Sequence, residues 1–268
     1  MQSRNPVFGR AAAFGGRSAT SDVHTPSTGQ LEDMYAAPSA SPAQTGRMTY
    51  DDVVTRTGGT LGVLLIGAVV GWWQPGLVWI GLIGGLVLGL VNAFKKEPSP
   101  PLILAYAALQ GLFVGGISFM FENVAFSAGG TPLNGIVAQA ILGTISVFAV
   151  ALFLYRSGRV RVTPKFVRGA MIAMGGYLVF VMFNLVARLF NWTDGTFGFR
   201  DGWFGIAIGL FAVCLAAVML ILDFDFIEKG VKQGIPSKYA WTAAFGLTVT
   251  LVWLYIEMLR LLAILRGE

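Results

Sequence analysis

The chain is poor in the residues that most site chemistry needs. It has one cysteine, Cys214, and one histidine, His24. A single cysteine excludes an intramolecular disulfide. Without a His/Cys cluster, a zinc site has no ligand set. The metalloprotease signature His-Glu-x-x-His is absent. Charge is scarce too: Asp, Glu, Lys and Arg make up 12% of the chain against 55% hydrophobic residues, with a mean hydropathy of +0.68. Soluble domains carry about twice that share of charge. The first 20 residues hold no apolar core region. No signal peptide is therefore expected, and the first span must itself direct insertion.

What the chain does have is long uncharged runs, over residues 57–94, 98–121, 123–155, 169–187, 202–222 and 239–256. A spanning helix needs about 20 mostly apolar residues. The first run therefore holds two spans, broken at Trp72-Trp73-Gln74-Pro75-Gly76. That Pro-Gly turn is flanked by tryptophans, which prefer the membrane interface. The reading is an all-α membrane protein with seven transmembrane helices, near 57–73, 77–94, 101–121, 134–155, 166–190, 203–226 and 239–265. Lipid requires backbone groups to be satisfied internally, and the segments lack the alternation of barrel strands. Thr49-Tyr50-Asp51-Asp52 fits a capping box and predicts a short helix leading into the first span. Gly81, Gly85 and Gly89, spaced by four, predict a close-packing helix face. Residues 1–46, rich in Ala, Gly, Ser, Pro and Thr, are expected to form a disordered cytoplasmic tail, with 47–268 as the membrane domain.

Charge placement sets the expected orientation. The basic residues fall mainly in 1–56, in 95–100 (Lys95, Lys96), in 156–168 (Arg156, Arg159, Arg161, Lys165, Arg168) and in 227–238 (Lys229, Lys232, Lys238). Seven spans put all of these on one side and leave Arg188, Arg200, Arg260 and Arg266 on the other. The positive-inside rule then predicts a multi-pass protein of the cell (inner) membrane, with the N-terminus cytoplasmic and the C-terminus outside. The formal charge of +5 is a topology signal and an attraction to anionic headgroups, not a sign of nucleic acid.

Two acids stand at membrane depth. Asp223 closes the run GWFGIAIGLFAVCLAAVMLIL, and Glu257 interrupts the last hydrophobic segment. A carboxylate there costs at least about 2.5–3.5 kcal/mol, so such residues mark function. Asp225 and Glu228 each have a lysine at i+4, as ordinary helix-surface pairs do. Glu122 and Arg188 lie near outer ends, where snorkelling or a mutual pair accounts for them. Arg260 stands three residues after Glu257, so a local Glu257–Arg260 pair is one reading. The other pairs Asp223 with Glu257 across antiparallel neighbouring helices. Such a pair titrates as a unit and shares a proton, and when deprotonated its oxygens suit Ca²⁺. Equal depth for the two acids puts the turn near Ala240, in GIPSKYAW.

The stretch LDFDFIEKG and the motif Leu254-Tyr255-Ile256-Glu257 resemble the Bax inhibitor-1 family of transmembrane proteins, over about residues 50–266. In the first, Asp223 stands four residues before Ile227. In the second, Glu takes the place of Asp, and Arg260 follows where a small polar residue is usual. The resemblance implies a central C-terminal helix wrapped by six others. It implies a pH-sensitive calcium (cation) leak gated by Asp223 and Glu257, with Arg260 and Asp225 as modulators. Lipid and calcium are then the expected partners. Another branch of the family implies a non-transport regulator that binds membrane proteins such as a membrane-bound AAA protease. No enzyme activity and no cofactor are expected. Residues 239–265 hold no Schiff-base lysine for a retinal protein, and the Gly-x-Gly-Asp context of intramembrane aspartyl proteases is missing.

Overall fold

The computed structural model describes residues 27–29, 46–123, 134–192 and 197–266. The chain divides into two units, Met1–Ser41 and Pro42–Glu268. The expectation for residues 1–46 falls almost entirely outside the described residues. Among the described residues, the second unit holds all of the long helices.

Among the described residues, seven helices are long and apolar enough to cross a membrane. They are α1 (Tyr50–Trp73), α2 (Val78–Phe94), α3 (Pro100–Asn123), α4 (Ile136–Arg156), α5 (Pro164–Leu189), α6 (Gly202–Gln233) and α7 (Ala240–Leu265). Three short 3₁₀ turns, Pro75–Leu77, Gly198–Arg200 and Ser237–Tyr239, precede α2, α6 and α7. The protein is a multi-pass membrane protein. Its outward faces carry large apolar side chains such as Leu65, Trp73, Phe94 and Trp203, which bilayer hydrocarbon covers.

Local chemistry explains the ends. Thr49 caps α1 through the expected box: its hydroxyl accepts from Asp52 N at 3.1 Å, and the Asp52 carboxylate accepts from Thr49 N at 3.0 Å. The box opens α1 itself, so the expected short helix and the first span are one element. Thr163 and Pro164 start α5, with the hydroxyl accepting from Phe166 N at 3.2 Å. Gly234 ends α6 at φ 65, where a side chain would be strained.

α7 is the centre. One of its faces enters a core with Val213, Leu220 and Phe224 of α6, and another enters a core with Leu64, Val114 and Ala140 of α1, α3 and α4. Leu254 and Leu259 are fully enclosed. α2 and α5 sit further out, packed chiefly on α3 and α6, so α7 is wrapped less evenly than the resemblance implies. The glycine face of α2 explains its place. A Cβ at Gly81 would stand 2.4 Å from Phe113 N, and one at Gly89 would stand 3.3 Å from the Tyr106 ring. α1 and α3 approach as closely: a Cβ at Gly111 would meet Leu64 O at 2.2 Å, and one at Gly115 would meet Ala68 O at 1.9 Å. Small residues let the backbones come this near.

The segment before α1 is tied to the α6–α7 turn. Met48 N donates to Ile235 O and Ser237 N to Gly46 O, both at 2.8 Å. Arg56 donates to Ser237 O and lies 5.6 Å from the Trp241 ring centre. The start of α1 and the α6–α7 turn therefore share one end of the bundle, the end that also carries the basic loops.

Candidate functional site: two separate membrane-depth acids

Asp223 and Glu257 are on neighbouring helices, but the structure does not bring them together. α6 runs on to Gln233 and α7 begins at Ala240. Asp223 stands ten residues before the end of α6, and the residue ten positions into α7 is Thr250. The turn is thus centred earlier than equal depth for the two acids demands. Glu257 lies seven residues further along α7, a rise of about 10 Å.

Asp223 is half-buried. The buried Thr250 hydroxyl donates to its Oδ2 at 2.7 Å and lies 3.1 Å from Gly246 O. No described residue forms an ion pair with it. Gly246 brings the α7 backbone close: a Cβ there would lie 3.5 Å from Asp223 Oδ1. Gly246 also lines a cavity of about 770 Å³ that reaches the basic end beside Lys95, Lys96 and Lys229.

Glu257 is 3% exposed and fully engaged. Tyr177 of α5 donates to Oε1 at 2.5 Å, and Arg200 donates to Oε2 at 2.6 Å. Arg260 reaches both oxygens, at 2.9 and 3.0 Å. These four bonds use the acceptor sites a carboxylate offers. Glu257 has no oxygen left for a cation while they hold. Arg200 also donates to the Tyr177 hydroxyl at 2.7 Å and lies 5.5 Å from that ring's centre. Its loop is fixed by Asn184, which bonds Phe197 O at 3.1 Å and Phe199 N at 2.8 Å. Two guanidinium groups against one carboxylate leave a formal surplus of one positive charge.

The other acids have local tasks. Asp225 pairs with Lys229 at 2.5 Å, and Glu228 pairs with Lys232, as their i+4 spacing predicts. Glu228 also accepts from Tyr155. Glu122 does not pair with Arg188. Its carboxylate accepts from Gly135 N and from Val137 N, the latter at 3.1 Å, at the start of α4. Free N–H groups and the positive end of the helix dipole make that the stronger site. Among the described residues no group of three or more His, Cys, Asp or Glu gathers as a metal site.

The family model for Bax inhibitor 1 like proteins matches residues 5–267. The chain belongs to the Bax inhibitor 1 like family. No curated protein matches it. Within this member of the family, Arg260 does neutralise Glu257, and a second cation joins it. Sequence reasoning missed Arg200, Tyr177 and Thr250. Arg200 had stood out only as a basic residue on the poorly charged side. Thr250 had one usable signal, a hydroxyl two turns before Glu257 within an apolar run.

Proposed function

We propose that this chain is a proton-responsive leak for calcium or a similar hard cation, with Asp223 as its sensing acid. The N-terminus and the basic loops face the cytoplasm, as the distribution of Lys and Arg favours. The observation that carries the reading is the setting of Asp223. It is a membrane-depth carboxyl with no ion-pair partner among the described residues, held by one hydroxyl at the central α6–α7 contact. Thr250 serves either form of the acid, since a hydroxyl both donates and accepts. Ionised Asp223 offers oxygens to a hard cation. Protonated Asp223 has no charge to attract one. Glu257 serves differently from a paired sensor: it is a fixed anchor for Arg200 and Arg260. These two guanidinium groups oppose a cation in the other half of the bundle, so the described conformation is a closed one.

The test is Ca²⁺ flux into proteoliposomes across pH. Asp223→Asn should abolish the pH dependence, and Asp225→Asn should retain it. Equal effects of the two substitutions would defeat the sensor assignment. Flux absent from the wild-type protein at every pH would defeat the leak and favour a regulator that binds membrane proteins.

A further inference from the structure

The cavity that Gly246 lines has a chemistry of its own. It lies between the α2–α3 pair and the α6–α7 pair, and its walls include Ile103, Phe226 and Phe245. Its volume of about 770 Å³ falls within the ~300–1,000 Å³ usual for ligand pockets. The rim is basic. Lys229 is paired with Asp225, and Lys238 with Glu97 at 2.9 Å. Lys95 and Lys96 are exposed and have no ion-pair partner among the described residues. The rim therefore carries two lysines outside any ion pair, above an apolar, aromatic interior.

On the loop side, the Glu97–Lys238 bond bridges the α2–α3 and α6–α7 connections. Lys238 holds the Glu97 carboxyl below its ordinary pKa, chiefly through that hydrogen bond, so the bridge stays charged at neutral pH. On the membrane side, α2 packs chiefly on α3, and α6 on α7, with no comparable contact between α2 and α6. Phe226 is 46% exposed there. The α2–α3 and α6–α7 pairs are thus bridged at the basic end, and Phe226 in the cavity wall stays partly exposed.

We propose that this cavity is a binding site for an anionic phospholipid of the leaflet at the basic end. Its headgroup phosphate would sit on Lys95 and Lys96, and an acyl chain would enter along Phe226 and Phe245. Basic pockets between helices at a membrane face suit such headgroups. A soluble anion matches the lysines but leaves the aromatic walls unused, and a zwitterionic lipid fills the walls but carries a fixed cation that offsets its phosphate. This inference does not depend on the leak reading. Binding is measured without flux, so either can fail alone.

The experiment is a native mass-spectrometry titration of the delipidated full chain with phosphatidylglycerol, against phosphatidylcholine of the same acyl chains. Phosphatidylglycerol should bind more tightly. Lys95→Gln with Lys96→Gln should weaken it roughly twenty-five-fold, about fivefold per lysine near the surface. Phosphatidylcholine binding should be unchanged. Arg159→Gln with Arg161→Gln, on the other basic loop, should leave phosphatidylglycerol binding as it was. Inorganic phosphate should not compete. Equal affinity for the two lipids, equal loss in the two double variants, or displacement by inorganic phosphate would each overturn the proposal.

Discussion

Replacing Glu257 by glutamine keeps the shape of the side chain and removes its charge. The carboxylate is 3% exposed and accepts from Tyr177, Arg200 and Arg260. Glutamine has one acceptor oxygen, and its NH₂ group would point at a guanidinium donor. The variant would also leave Arg200, whose side chain is 4% exposed, as a buried cation without a counter-ion. Breaking one partner of a buried pair costs about 3–5 kcal/mol. For a domain of this size that is a fall in melting temperature of roughly 6–20 °C. Asp223→Asn removes no ion pair and leaves Thr250 an oxygen to donate to, so its cost should stay near the ~1 kcal/mol typical of an altered hydrogen bond, roughly 2–4 °C. The assay is thermal unfolding in detergent, followed by a fluorescent thiol or tryptophan signal. A double variant, Arg200→Met with Glu257→Met, guards against a general loss of folding. It removes the two most buried charges and leaves unpaired only Arg260, whose side chain is 21% exposed, so it should melt above Glu257→Gln. The reasoning fails if Glu257→Gln melts within about 2 °C of wild type, less than the shift expected for about 1 kcal/mol. It fails equally if the double variant is the least stable of the set.

The same geometry sets other expectations. Gly115→Val should force α1 from α3, because a Cβ there would meet Ala68 O at 1.9 Å. The cost should exceed about 3 kcal/mol, the upper end of ordinary overpacking, and should appear as loss of monodisperse protein in size-exclusion chromatography. Gly58→Ala, in α1 with nothing within 4 Å, should be neutral or stabilising by up to about 1 kcal/mol in the same unfolding assay. Thr49→Ala should cost about 0.5–2 kcal/mol by removing the cap of α1, with protection from hydrogen exchange lost first in that turn. In a background with Cys214 replaced by alanine, Ser157→Cys should label with a membrane-impermeant thiol reagent only from the cytoplasm, and Gln74→Cys only from outside. The reverse pattern would invert the proposed orientation.

The legible part of this protein was the local part. Uncharged runs located the spans, because hydrocarbon thickness sets their length. Thr49 and Asp52 announced the start of α1, Asp225 and Glu228 their lysines, and Gly81, Gly85 and Gly89 the packing face, since each signal lies within one or two helical turns. The surroundings of the two deep acids were not local. Tyr177 is 80 residues from Glu257 and Arg200 is 57 residues away. No periodicity joins them. The level of Thr250 with Asp223 depended on where the α6–α7 turn falls. α6 continues to Gln233 through residues that are helix-compatible but polar, so hydropathy alone ended it near 226. A shift of one helix against the other by two turns was enough to separate the expected pair.

The helix at the centre of the bundle is also the last of the seven to leave the ribosome. α1, α3, α4 and α6 are synthesised before the surface that they pack against exists. At about 5–20 residues per second, the interval from Gln233 to Leu265 is roughly 2–6 s. Through that time Arg200 has been made and has no carboxylate to neutralise it. The charge that later fastens α7 to the loop before α6 is, during translation, an unmatched cation in a half-built bundle. An arginine without its carboxylate is costly in a bundle, so the arrival of α7 removes a penalty as well as adding a core.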